Sequence, residues 1–217
     1  MAEVVPAIIP QSFDDLIDQV GLVREHVKTV QVDIMDGEFA PEPSFPFIED
    51  NIHELRKDFA QHERIGMELD MMVMRPGQYF DEWERFGVQS FIIHLGTVEN
   101  LDDVIENLRM RNKGVGLAFK PSTPLHDLDP YVEKVDFLQH MGNDKIGYHG
   151  VELDNSVIDR VRDLRKRYEN VIIGVDIGVN FETAPSLVEA GVSKLVSGSA
   201  IYNSENIQEA IQKLSLA

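Results

Sequence analysis

Two aspartates stand close together at the end of an apolar run. The segment VQVDIMDG, residues 30–37, has β-branched residues at alternate positions, and its acids are Asp33 and Asp36. This pattern predicts a buried strand that ends in carboxylates and a glycine turn. A carboxylate at that place could serve acid–base chemistry or metal binding, or it could belong to a solvated turn.

Polar side chains also stand at the ends of five further apolar segments. They are Glu68, Asp70, His94, Lys120, Gln139, His140 and Asp176, and Gln31 shares the segment of Asp33. One polar strand end is ordinary, whereas so many at equivalent positions are typical of a site at one edge of a sheet. We therefore interpret Asp33 as a site residue. A lone histidine in an apolar strand is more often a packed core residue than a ligand, and for His94 and His140 both interpretations stay open.

Predicted strands and helices alternate along the chain and would carry these residues. Eight apolar, β-rich segments are separated by segments with helical spacing, such as FDDLIDQVGLVREHV, which places four apolar side chains on one face: Leu16, Val20, Val23 and Val27. Alternation of this kind predicts parallel βαβ units. For 217 residues without a long linker, we expect one domain over residues 1–217 that folds as a single (β/α)8 TIM barrel. An open doubly wound sheet is the alternative.

Composition limits the partners and the compartment. With 38 acidic and 20 basic residues, the formal net charge is -18, so we expect neither nucleic acid nor a membrane surface as partner. The absence of cysteine excludes disulfides and thiolate metal sites and fits a reducing compartment. Without a signal-peptide pattern or an apolar run of about 18 residues, a soluble, cytoplasmic protein is expected. The sequence leaves the oligomeric state open, and a homo-oligomer is compatible with it.

Glycine-containing loops predict an anion site. VDIGVNFETAP and VSGSAIYNSENI run from a strand through Gly178 or Gly198 into a helix N-terminus, where backbone N–H groups can bind phosphate. Because the net charge disfavours phosphate at long range, such a site must be local. Gly147 and Gly150 in GYHGVE could form a loop that closes over a ligand. Ordinary turns are the alternative explanation for all four glycines.

These motifs together resemble the ribulose-phosphate 3-epimerase family over nearly the whole chain. VDIMDGEFAPEPSF is similar to that family's VDVMDGHFVPN-x-[ST]-F, LDMMVMRP to VHLMVxxP, and KPSTPL to NPxTPL. IGVDIGVN…APSLVEAG…VSGSAIY resembles VDGGVN…AGAD…VAGSAIF. The resemblance implies a (β/α)8 barrel that acts on a phosphorylated ketose such as ribulose 5-phosphate.

The resemblance also implies roles for individual residues. Asp33 and Asp176 would move a proton to and from the carbon beside the carbonyl, on opposite faces, in a 1,1-proton transfer through an enediolate. In the family, a metal held by two histidines and the two aspartates stabilises that enediolate. The substrate and its phosphate would contact Met35, Met72, Met141, Gly147, Gly150, Gly178, Gly198 and Ser199.

Several family residues are replaced in this chain. Gln31 and Asp70 stand where the family has its two metal-binding histidines, and Lys120 replaces the asparagine before PxTP. The serine expected near the end of the first strand aligns with Pro10. The loop consensus NPGFGGQ has become DKIGYHGV, with His149 in place of a glycine.

The donors that remain, Gln31, Asp33, Asp70 and Asp176, form an all-oxygen set. Zinc prefers nitrogen and sulfur, whereas Mg²⁺, Mn²⁺ and Ca²⁺ accept oxygen. We therefore expect one of these three ions rather than zinc, and no other cofactor. Lys120 could supply the positive charge instead. Some electrophile is needed, because an aspartate near its free pKa of about 3.9 is a weak base for a carbon acid.

Three functions stay open at this point. The first is an isomerase of the epimerase type with Asp33 and Asp176 as the acid–base pair, and the second is another enediolate-forming phosphosugar enzyme with Lys120 as electrophile. The third is a non-catalytic phosphosugar-binding protein that retained the barrel. The two aspartates favour the enzymes, and the loss of both histidines and the altered loop favour the third.

Overall fold

Eight parallel strands form a closed barrel in the computed structural model, which describes residues 2–48, 65–148 and 150–217. The strands follow one another around the barrel in chain order, as successive βα units require. The predicted TIM barrel is confirmed, and the open sheet is excluded. The strands are β1 Glu3–Ile8, β2 Thr29–Met35, β3 Gly66–Met72, β4 Ser90–His94, β5 Gly114–Phe119, β6 Phe137–Met141, β7 Ile172–Asp176 and β8 Lys194–Ser197.

Amphipathic helices connect strands within the described part of the chain. They are α1 Phe13–Val23, α2 Phe80–Phe86, α3 Leu101–Met110, α4 Val157–Arg167, α5 Ala184–Ala190, α6 Ser199–Tyr202 and α7 Ile207–Ser215, with 3-10 turns at Pro76–Tyr79 and Leu125–Leu128. Side chains of Ser12, Asn100 and Asn206 accept backbone N–H groups at the starts of α1, α3 and α7. Within the described residues, no helix is long and apolar enough to cross a membrane.

Helix α1 is shorter than its apolar pattern predicts. Leu16, Val20 and Val23 are buried on one face, as expected. The helix ends at Val23, because the His26 N–H bonds back to the Val23 carbonyl and tightens the last turn. Val27 lies beyond this turn and is only half-buried.

The chain divides into two compact units. The first is Pro6–Val115, and the second combines Gly116–Ala217 with the residues up to Val5. In the first unit, β2 and β3 pair in parallel over their whole length, so that Asp33 lies opposite Asp70. Because alternate residues on a strand share a face, this register places both carboxylates on the same side of the sheet.

In the second unit, β6, β7 and β8 pair in the same parallel manner. Met141 lies opposite Asp176, and Gln139 lies opposite Gly174, which in turn faces Lys194. The polar ends of β6 and β7 therefore meet at one level of the sheet. The expectation of a single domain over residues 1–217 stays a prediction.

Candidate active site

Asp33 lies in β2 with its carboxylate held by a neighbour on the same strand. Its side chain is 5% exposed, and the amide Nε2 of the buried Gln31 donates to Asp33 Oδ1 over 2.7 Å. Residues two apart on a strand share a face, so the sequence itself brings this amide to this carboxylate. The buried Ser44 hydroxyl accepts from the Met35 N–H at 3.0 Å and donates to the Asp33 carbonyl at 3.2 Å. These bonds fix the end of β2.

The second aspartate of the opening segment has a structural role. Asp36 Oδ1 accepts the N–H groups of Glu38 and Phe39 at 2.8 and 2.9 Å, and its Oδ2 accepts the Met74 N–H at 2.7 Å. The carboxylate closes its own turn and ties the loop after β2 to the loop after β3. Of the two aspartates in VQVDIMDG, the first faces the candidate site and the second shapes the loop beside it.

Asp70 forms a buried pair with His94 on the next strand. His94 Nε2 lies 2.6 Å from Asp70 Oδ1, and the two side chains are 1% and 0% exposed. His94 is therefore a buried, hydrogen-bonded residue that contacts a candidate site residue, and a functional role for it stays a prediction. The sequence signal for this contact was the shared placement of both residues at strand ends, but spacing along the chain does not identify partners on neighbouring strands.

Asp176 is the last residue of β7, and each of its two carboxylate oxygens has an N–H group nearby. The Ile177 N–H donates to Asp176 Oδ1 at 2.7 Å, and Gln139 Nε2 lies 3.5 Å from Oδ2. The side chain is 7% exposed. Its backbone carbonyl accepts the Gly142 N–H, which joins the end of β7 to the end of β6.

Carboxylate oxygens of Asp33, Asp70 and Asp176 all lie within 4.8 Å of one another, and all three residues are buried. Three carboxylates at this spacing repel one another, and a cation among them would offset that repulsion. Hard divalent cations bind such oxygens, so the donor set fits Mg²⁺, Mn²⁺ or Ca²⁺. Gln31, the fourth predicted ligand, presents its amide nitrogen to Asp33, and its role as a ligand stays a prediction.

Lys120 directly follows β5 and is half-buried. Its backbone is held in a turn, because the Lys120 N–H donates to the Thr123 hydroxyl at 3.2 Å and the Thr123 N–H donates to the Lys120 carbonyl at 3.0 Å. The electrophilic role of its ammonium group stays a prediction.

The three methionines expected to line the site are all buried at strand ends. Met35 and Met72 lie opposite each other in the β2–β3 register, and Met141 lies opposite Asp176. None is more than 2% exposed. Their positions fit both a site lining and ordinary core packing, so substrate contact stays a prediction.

Both the backbone conformation and the packing of the loop require a glycine at position 178. Its φ is +75°, and a Cβ added there would lie 2.3 Å from the backbone nitrogen of Leu153. Gly142 is similarly crowded, since a Cβ at that residue would lie 1.9 Å from the Ile177 carbonyl oxygen. The loops after β6 and β7 therefore pack backbone to backbone. Sequence reasoning missed Gly142, because a glycine that follows a strand looks like any other turn residue.

The remaining residues of the predicted phosphate site lie in the loop after β6 and at the start of α6. Gly147 and Gly150 have φ of +87° and +68°, which suits glycine, and His149 between them lies outside the described residues. Gly198 precedes the single helical turn α6, with φ of −99°, and Ser199 begins that turn. Both are partly exposed. Phosphate binding by these residues stays a prediction.

His140 is fully buried and belongs to a cluster with α4. Its Nδ1 lies 2.7 Å from the Met141 carbonyl, and Arg160 Nε donates to its Nε2 over 3.3 Å. Since a carbonyl only accepts, the proton sits on Nδ1 and Nε2 accepts from arginine. Burial, reinforced by the Arg160 charge, lowers the pKa of His140 to about 4. His140 is thus a neutral core residue, the ordinary outcome for a histidine in an apolar strand.

Known proteins resemble this chain over nearly its whole length. The model of the Ribulose-phosphate 3 epimerase family matches residues 3–202. The ribulose-phosphate 3-epimerase of Schizosaccharomyces pombe is 26% identical over 98% of this chain and 92% of its own length. That of Bacillus subtilis is 24% identical over 99% of this chain and 98% of its own.

Solved structures show the same fold at lower identity. The 3-hexulose-6-phosphate synthase of Salmonella typhimurium superposes with a TM-score of 0.75 at 15% identity, covering 99% of this chain and 97% of that one. A tryptophan synthase α-subunit from Pyrococcus furiosus gives 0.73 at 15% identity, covering 98% and 96%. At such identity the likeness concerns the fold alone.

Proposed function

We propose, since this chain belongs to the ribulose-phosphate 3-epimerase family, that it is an isomerase that inverts one carbon of a phosphorylated ketose such as ribulose 5-phosphate. The observation that supports this proposal best is the cluster of three buried carboxylates, which includes those of Asp33 and Asp176. A two-base proton transfer needs two carboxylates at one place, and a protein that only bound a phosphosugar would gain nothing from their burial.

Asp33 and Asp176 act as the acid–base pair in this proposal. They belong to β2 and β7, three strand steps apart in the closed order, which suits approach to one carbon from two sides. One carboxylate accepts the proton beside the carbonyl, and the other returns a proton to the opposite face of the enediolate. Gln31 and the Ile177 N–H each hold one oxygen of these carboxylates and so fix their orientation.

The negative charge on the enediolate needs an electrophile, and the donor set fits a divalent cation. Asp33, Asp70 and Asp176 would hold Mg²⁺, Mn²⁺ or Ca²⁺. Such an ion, when bound, supplies positive charge at the enediolate oxygens. Lys120 is the alternative source of that charge, at the end of β5. The phosphate binds at Gly178, Gly198 and Ser199 under this proposal, with Gly147 and Gly150 in the covering loop.

The proposal is tested by epimerisation of ribulose 5-phosphate and by exchange of solvent deuterium into it. Asp33→Asn and Asp176→Asn should each reduce turnover by roughly 10³-fold or more, because each removes proton transfer on one face. Each single variant should still exchange deuterium into one epimer only. Asp18→Asn, on the exposed side of α1, is the matched control and should keep full activity.

Other outcomes distinguish the alternatives. Exchange that persists in the Asp33→Asn/Asp176→Asn double variant would contradict the catalytic assignment. Loss of turnover in Lys120→Met without any metal requirement would identify the lysine as the electrophile. A wild-type protein that binds phosphorylated ketoses but neither epimerises them nor exchanges their protons would be a binding protein instead.

A further inference from the structure

The Asp70–His94 pair lies against the proposed metal site but has no role in the proton transfer itself. Asp70 is one of the three clustered carboxylates, and its Oδ1 lies 2.6 Å from His94 Nε2. An ionised carboxylate only accepts hydrogen bonds, so His94 Nε2 must donate when Asp70 is ionised. With both side chains at most 1% exposed, bulk water does not compete for this bond.

The imidazole is itself held in place from two directions. The Phe39 ring packs on it at a centroid distance of 5.1 Å, and Phe39 is fixed by its N–H bond to Asp36. The Thr97 hydroxyl and N–H both donate to the His94 carbonyl, at 2.8 and 3.2 Å. The orientation of Asp70 is therefore set by a rigid partner and not by the aspartate alone.

We propose that His94 is a positioning residue that orients Asp70 to bind a divalent cation, an inference that rests on the metal site of the proposed function. A carboxylate has two oxygens and can rotate, so a ligand without a partner loses part of its binding energy to ordering. A hydrogen bond to one oxygen fixes the plane in which the carboxylate meets the ion. Asp70 stands where the family has an imidazole ligand, and here an imidazole acts through the carboxylate.

The test is Mn²⁺ binding to the purified protein, measured by electron paramagnetic resonance and calorimetry. His94→Asn should weaken the Mn²⁺ affinity by ~10- to 100-fold, as loss of such partners typically does. His94→Gln, which can place an N–H near Asp70, should recover part of the loss. His140→Gln is the matched control, because that buried histidine binds Arg160 and Met141, and it should bind Mn²⁺ like the wild type.

Turnover gives a second measurement that a purely structural role would not change. In His94→Asn, kcat at low Mn²⁺ should fall and then recover as Mn²⁺ is raised, whereas misfolding would not be reversed by the ion. If His94→Asn does not fold, Phe39→Leu loosens the imidazole more gently and should show the same weakening in smaller degree.

Wild-type Mn²⁺ affinity in a folded His94→Asn variant would overturn this inference alone and leave the epimerase proposal standing. A wild-type protein that binds none of Mn²⁺, Mg²⁺ and Ca²⁺ would overturn it together with the metal site. The two proposals can also separate in the other direction. If His94→Asn lost Mn²⁺ binding but the wild-type protein did not epimerise ribulose 5-phosphate, the inference would be supported and the proposed function contradicted.

Discussion

Two histidines that are buried in the described part of the chain show how one residue type takes different roles in neighbouring strand positions. His94 ends β4 and contacts Asp70, whereas His140 precedes the last residue of β6 and contacts Arg160 of α4. The difference follows from the period of two along a strand, which sends adjacent side chains to opposite faces. Gln139, next to His140, takes the face of Asp176.

His140 makes a residue-scale prediction about pH. Because its pKa is lowered from 6.5 to about 4 in the folded state, the unfolded chain takes up a proton at a higher pH than the folded chain. The free energy of unfolding should therefore fall as the pH is lowered from about 6.5 to about 4, by roughly 3 kcal/mol from this group. The charged groups that act on the imidazole are Arg160, Asp144 and Asp154.

The measurement is urea unfolding of wild type and His140→Gln at several pH values between 7 and 4. Carboxylates also titrate over this range, so the quantity of interest is the difference between the two proteins. That difference should shrink as the pH falls, since the variant lacks the proton uptake. Parallel curves would show that His140 does not contribute.

At the scale of elements, the loops after β6 and β7 depend on glycine for contact. Gly142→Ala should lower the free energy of unfolding by about 1–3 kcal/mol or more, because its Cβ would overlap the Ile177 carbonyl oxygen. Gly21→Ala is the matched control, in a helix with nothing within 4 Å of the new methyl group. It should raise stability by roughly 0.5–1 kcal/mol. Both variants are measured by thermal and by urea unfolding. If Gly142→Ala and Gly21→Ala changed the free energy of unfolding equally, the packing argument would be contradicted.

The start of α6 offers a cleaner test of phosphate binding than Gly178 does. A side chain at Gly178 would disturb Leu153 whether or not phosphate binds there. Gly198 has a φ of −99°, which lies outside the left-handed region that favours glycine. Gly198→Val should therefore fold with an unchanged melting temperature but bind ribulose 5-phosphate roughly tenfold more weakly or worse, about 1.4 kcal/mol. The affinity for unphosphorylated ribulose should not change, and unchanged affinity for both would place the phosphate elsewhere.

The whole molecule has a formal net charge of -18, which opposes the approach of a phosphorylated substrate. The Debye length falls from about 30 Å at 0.01 M salt to about 8 Å at 0.15 M, so added salt weakens this repulsion. We expect kcat/KM for ribulose 5-phosphate to rise by roughly two- to tenfold over that range at saturating divalent metal. Sucrose at matched osmolarity is the control and should have no such effect. A fall in kcat/KM with salt would indicate a local basic field strong enough to attract the phosphate.

The order of the elements, and which acidic residues stand near the ends of strands, could be predicted from the amino-acid sequence. The alternation of apolar and amphipathic segments, together with the length, predicts the closed barrel, and a barrel places the ends of its strands, where Asp33, Asp70 and Asp176 stand, at one mouth. These features depend on periodicity and chain order, both of which are local properties of a sequence.

The hydrogen-bond partners of those residues, in contrast, could be identified only in the folded chain. The partner of Asp70 is His94, 24 residues away, and the reason for Gly142 is a carbonyl at Ile177. Hydrogen-bond direction and close backbone approach depend on the register and distance of segments remote in sequence, which no local pattern encodes. For the same reason, the spacing of Asp33 and Asp36 did not show that one faces the site while the other closes a turn.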